Sequence, residues 1–134
     1  MAKSNGKSRL LPNGRFLSIP HAVVDTAKFR NLSPWAVHLL VDLTRQHNGF
    51  NNGSLAALWS QMKERGWKSK GTLHRATLEL VEAGFIEQTQ QGGRHRPNLY
   101  ALTWHPIDEI KDSTTRTHKL DVRPTKRASG LWHD

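Results

Sequence analysis

Between Lys63 and Arg75 the chain places Lys63, Arg65, Lys68, Ser69, Lys70, Thr72, His74 and Arg75, and Arg94, His95 and Arg96 follow in "QQGGRHRP". These are cations, hydroxyls and imidazoles, with no acid–base pair or nucleophile beside them. Such a set suits anion recognition: cations and backbone N–H groups hold phosphates, while Arg, Lys, Thr and His can reach base edges. From Lys68 to Trp104 the acids Glu79, Glu82 and Glu87 lie between the two basic ends. Two separated cationic ends could flank a groove and contact phosphates on either side of it.

The rest of the composition agrees. The chain has 134 residues, formal net charge +9, eight histidines and no cysteine, with a sequence pI near 10.5. That balance favours a polyanionic partner: nucleic acid, an anionic membrane surface or an acidic protein. The plain alternative is charge that serves only solubility. The absence of cysteine excludes disulfides and thiolate zinc sites and fits a reducing compartment, so a cytoplasmic location is expected. No apolar run approaches a membrane span, and the N-terminus lacks the apolar core of a secretory signal. The histidines show no HExxH-like spacing, "IDEIKD" reads as a solvated acidic cluster, and "QGGRH" lies between strands rather than before a helix. No catalytic, metal or cofactor site is expected.

The elements that must position these residues read as follows. Residues 1–15 form a basic arm, residues 16–104 a domain, and residues 105–134 a mostly disordered tail. "PHAVVDTAKF" predicts a short helix. Ser33 as N-cap and Pro34 at the first helical position open a second, with Ala36, Leu39, Leu40 and Leu43 on one face. "SLAALWSQMKERG" predicts a helix capped by Ser54, with Leu55, Leu58, Trp59 and Met62 as its stripe and Gly66 closing it. Ser69 caps a further helix from Lys70 to Ala83, turning Leu73, Ala76, Thr77, Leu80 and Val81 inward. "FIEQTQ" and "NLYALTW" predict a hairpin around the basic loop. The expected core contains Val23, Val24, Leu39, Leu40, Leu43, Leu58 and Met62. It continues through Leu73, Ala76, Leu80, Ile86, Tyr100 and Leu102. Trp35, Trp59 and Trp104 read as core residues, and Trp67 as either a core cover or an aromatic beside the partner.

Two helices joined by a tight turn, then a hairpin, give the geometry of a helix-turn-helix with a wing. "SKGTLHRATLELVEAGFI" followed by a Gly/Arg hairpin resembles the winged helix-turn-helix family through Ser69, Thr72, Leu73, Arg75-Ala76 and Gly84-Phe85-Ile86. More narrowly, residues 16–108 look like small winged-helix proteins of prophages and plasmids. The turn "GWKS" is one residue longer than that pattern, and Gly71 stands where a side-chain reader is common. The expected class is mainly α with a small antiparallel hairpin, a three-helix core plus wing. The resemblance implies a non-enzymatic, sequence-preferring binder of double-stranded DNA acting in transcription control or replication initiation, with a replication or transcription protein as a further partner. Lys70, Thr72, His74 and Arg75 are the base-edge candidates. For each of them the alternative is a solvated helix surface, and Arg75 could instead pair with Glu79 or Glu82. The rival function is a winged-helix module docking on an acidic protein. RNA binding is weaker, since the aromatic RNP pattern is missing. Oligomeric state is left open.

Overall fold

The computed structural model describes residues 14–134. All but the last two residues of the expected N-terminal arm lie outside it. The described chain is mixed α/β. Its elements are α1 (His21–Val24), α2 (Ala27–Arg30), α3 (Pro34–Gln46), α4 (Trp59–Met62), a 3-10 turn (Lys63–Arg65), α5 (Lys70–Glu82), β1 (Ile86–Gln90) and β2 (Leu99–Leu102).

The two long helices start where local chemistry dictates. Ser33 is extended, and its hydroxyl oxygen accepts the Ala36 N–H, with Pro34 occupying a position whose missing N–H costs nothing. Ser69 does the same for the Thr72 N–H at 3.0 Å. The expected first helix is broken in two. Thr26 donates to the Val23 carbonyl and accepts the Phe29 N–H, ending α1 and capping α2.

The helix expected from Ser54 begins only at Trp59. Leu55 instead exchanges both backbone hydrogen bonds with Tyr100, at 3.1 and 2.8 Å, and its side chain is buried. That reciprocal pairing covers the outer edge of β2, and it is why the segment before α4 stays extended. β1 and β2 are antiparallel, with Ile86 opposite Leu102 and Gln88 opposite Tyr100, and a bulge between Gln88 and Gln90.

The core lies where α3 packs on α5. Leu39, Leu40 and Leu43 meet Leu73, Ala76 and Leu80, closed over by Trp67, Phe85, Ile86 and Leu102. Val24 and Leu58, expected inside, are 37% and 36% exposed. α1 is a single turn that can bury only Val23, and Leu58 is the N-cap of α4 rather than part of its inward stripe.

Parts of residues 105–134, expected from sequence as a mostly disordered tail, lie against the domain. Ile107 and Leu120 join Ala56, Leu99 and Ala101 in a second apolar cluster. The fully buried Asn52 amide donates to the Leu102 and Pro106 carbonyls and accepts the Leu102 N–H, while its backbone N–H reaches Asp108 at 2.8 Å. Gly53 makes room for this seat: its φ is +115°, and a Cβ there would fall 2.8 Å from Leu120 Cδ1. At the far end, Asp134 accepts the Ala27 and Lys28 N–H groups at 2.9 and 3.1 Å, capping α2.

Candidate functional site

α5 begins immediately after the turn that follows the 3-10 segment, so its first turns project Lys70, Gly71, His74 and Arg75 at the surface, all exposed. Thr72 is half-buried; its hydroxyl oxygen accepts from the Ser69 hydroxyl at 3.0 Å and from Arg75 Nη2 at 3.3 Å. The Arg75 guanidinium therefore reaches back toward the helix start. A Cβ on Gly71 would meet Arg75 Nη1 at 3.4 Å, so the space beside this glycine belongs to the arginine. Arg75 makes no ion pair with Glu79, which is engaged by Ser33.

The hairpin tip is a tight turn in which Gly93 and Arg96 exchange backbone hydrogen bonds at 2.8 and 3.2 Å. Arg94 and His95 are its two central residues, both exposed, with His95 in the left-handed region at φ 64°. Asn98 braces the base of the tip by accepting the Gly92 N–H at 2.6 Å and the Gln88 side-chain amide at 3.0 Å.

Between helix and hairpin runs a cleft of about 310 Å³. Lys70 and His74 stand on one wall, Pro97 and Asn98 on the other, and Leu58, Trp59 and Tyr100 between them. Burial raises the Tyr100 phenol above its ordinary 10, so it stays protonated at neutral pH.

The sequence-nominated cations fall into two groups. Lys63, Lys68, Lys70, Arg75 and Arg94 have no carboxylate within ion-pair distance among the described residues. Arg65 and Arg96 do. Arg65 Nε donates to Asp42 at 2.9 Å, and the same buried carboxylate accepts the Trp67 indole N–H at 2.9 Å. Trp67 is thus a core residue, 2% exposed. Arg96 Nη2 donates to Asp121 at 2.6 Å, and Asp121 also accepts the Gln91 N–H at 2.8 Å. The structure thus brings Lys70, His74 and the hairpin together across one cleft, and it ties Arg65 and Arg96 to acids that are distant in sequence.

Comparison with known proteins finds no matching family model, no matching curated protein and no matching solved structure. The site must therefore be read from its own chemistry. Among the described residues no group of three or more His, Asp or Glu could hold a metal ion, and no helix is long and apolar enough to cross a membrane. Sequence reasoning missed Pro97, Asn98 and Tyr100 as cleft residues, and it missed Asp121. The signal for Asn98 was its place beside the basic tip. Asp121 gave none, because its partners lie 25 and 30 residues away.

Proposed function

We propose that the protein is a winged helix that binds double-stranded DNA, with α5 as the helix that enters the major groove and the β1–β2 hairpin as its wing. One observation carries the reading: the first turns of α5 and the hairpin form two walls of a single cleft, and each element bears cations without acid partners. A duplex has this complementary form, with a groove to admit the helix and charged strands on either side. On this reading Lys70, His74 and Arg75 face base edges from a rigid helix, while Lys63, Lys68, Arg94 and His95 meet phosphates. The resemblance of the sequence at residues 16–108 to small winged-helix proteins of prophages and plasmids suggests transcription control or replication initiation as the setting.

The test is selection of bound sequences from a random duplex pool, followed by salt titration of the winners. Enrichment of one sequence, with log affinity falling linearly with log salt, supports the reading. Arg75→Ala is then expected to cost about 1–3 kcal/mol on the selected site and less on a scrambled one. Arg94→Ala is expected to weaken both alike and lower the salt slope by about 1. A pool with no enrichment and no salt dependence overturns it and leaves docking on an acidic protein as the better account.

A further inference from the structure

Asp121 joins a second chain segment to the hairpin tip. Its carboxylate takes Arg96 Nη2 at 2.6 Å and the Gln91 N–H at 2.8 Å, and its own N–H donates to the Thr89 carbonyl at 2.9 Å. The segment is held on both sides of that point. Leu120 is buried in the second apolar cluster, and Thr125 and Ile107 exchange hydrogen bonds at 2.8 and 2.9 Å. Residues 119–125 are therefore a strap laid beside the outer edge of β1.

The strap is cationic on its open side. Lys119 and Arg123 are exposed, and each stands two residues from Asp121. An extended chain spans at most about 7 Å in that distance, which places both backbones beside the tip that carries Arg94 and His95. Neither forms an ion pair among the described residues. Asp112, which lies within electrostatic reach of Lys119, is engaged by the Thr114 and Thr115 N–H groups and forms no ion pair with the lysine. Asp121, itself exposed, is engaged by Arg96 and the Gln91 N–H. The strap's single carboxylate, Asp121, thus serves its attachment, while Lys119 and Arg123 stand outside any ion pair among the described residues.

We infer that the wing is a composite of two chain segments, in which Lys119 and Arg123 add a second set of contacts to the phosphate backbone of duplex DNA beside those of Arg94. The inference rests on the DNA reading above. It assigns a binding role to a part of the chain that the sequence pattern of a hairpin does not reach.

The experiment compares wild type, Arg94→Ala, the double variant Lys119→Ala/Arg123→Ala and a charge-matched control, Arg15→Ala/Arg45→Ala. The control pair lines a cavity with His47 at the end of α3. His47 stacks on His105, which follows β2, so this cavity lies at the base of the hairpin rather than its tip. All four substituted side chains in the two doubles are exposed, so melting temperatures are expected to match wild type. Affinity is measured on one duplex over a range of salt. Each lost phosphate contact lowers the slope of log affinity against log salt by about 0.9, so the strap double is expected to lower it by about 1.8 and the control to leave it unchanged. At about 0.1 M salt the strap double should bind between about tenfold and a hundredfold more weakly. Equal losses in the two doubles would show a diffuse field instead of a contact surface and overturn the inference. So would an Arg94→Ala defect with an unaffected strap double, which leaves the DNA reading standing. If wild type binds no duplex at any salt, the DNA reading itself falls, and the strap with it.

Discussion

The Glu79 carboxylate grips Ser33 twice, accepting its hydroxyl at 2.6 Å and its backbone N–H at 2.7 Å. Ser33 in turn accepts the Ala36 N–H, so a residue on α5 holds the cap of α3. Glu79→Ala is expected to destabilise the fold by about 1–3 kcal/mol, the range for losing charge-assisted bonds at a half-buried site. Ser33→Ala should cost about 1–2 kcal/mol through the cap. In urea titrations the double variant should cost less than the sum of the two, by at least about 0.5 kcal/mol. Strict additivity would mean that the two residues act independently. DNA affinity on the selected site should be unchanged at temperatures where the variants are folded.

Leu120 separates a packed tail from a solvated one. It is 8% exposed and lies against Gly53 and Ile107. Leu120→Ala is expected to cost about 2–5 kcal/mol, as for a buried leucine elsewhere. On a solvated chain the same change would stay within about 0.5 kcal/mol. A urea midpoint that does not move would return the tail to solvent.

Gly71 sits in the first turn of α5 with a backbone conformation open to other residues, and a Cβ there meets only Arg75 Nη1 at 3.4 Å and Ser69 Oγ at 3.9 Å. These are ordinary contacts with side chains that can yield. Gly71→Ala is therefore expected to stabilise the protein by about 0.4–1 kcal/mol by restricting the unfolded chain. The same methyl crowds the arginine's resting place, so affinity for the selected site should change while stability rises. A loss of stability would show that the helix start needs glycine for a reason beyond space.

His47 and His105 stack with ring centroids 4.6 Å apart. Burial lowers both from the ordinary 6.5; a charge on His105 lowers His47 further, and Asp108 opposes the shift in both. The folded form therefore refuses protons that the unfolded chain accepts. Stability is full above pH 6.5 and falls as the pH drops below that value. His105→Asn should flatten the stability profile in this window. A second loss is expected in stronger acid. Asp121 is held below the ordinary 3.8 by the Gln91 N–H and then Arg96, and Asp134 by the Ala27 and Lys28 N–H groups. These contributions are present above that value and vanish as the carboxylates protonate. Thermal unfolding between pH 7.5 and 3 on wild type and the His105 variant checks both windows.

The long helices were legible because their determinants are local. Ser33 and Ser69 lie three residues from the N–H groups they cap, and the apolar stripes of α3 and α5 repeat within a few residues. The segment Ser54–Leu58 was misread because its β partner, Tyr100, lies far along the chain and outweighs a helix-compatible pattern. The seating of Ile107 and Leu120 was not legible because they follow no helical or strand period; their burial depends on Gly53 and Asn52. At the candidate site the exposure of Gly71 and Arg75 followed from helix periodicity, which placed His74 on the flank of the same face. The engagement of Arg65 by Asp42, and of Arg96 by Asp121, could not be read from spacing, because each carboxylate lies more than twenty residues from its arginine.

The Asp134 cap sets an order on folding. α2 has only four residues, too few to persist alone, and the carboxylate that caps it arrives from 107 positions downstream. The contact between Lys28 and the Leu131 carbonyl spans 103. Closing so long a loop is worthwhile only after the α3–α5 core and the hairpin have brought the ends together. The α2 clasp therefore belongs to the last stage of folding and lies outside the nucleus. Asp134→Ala should speed unfolding and leave the folding rate unchanged, so the clasp governs how long the native state lasts rather than how fast it is reached.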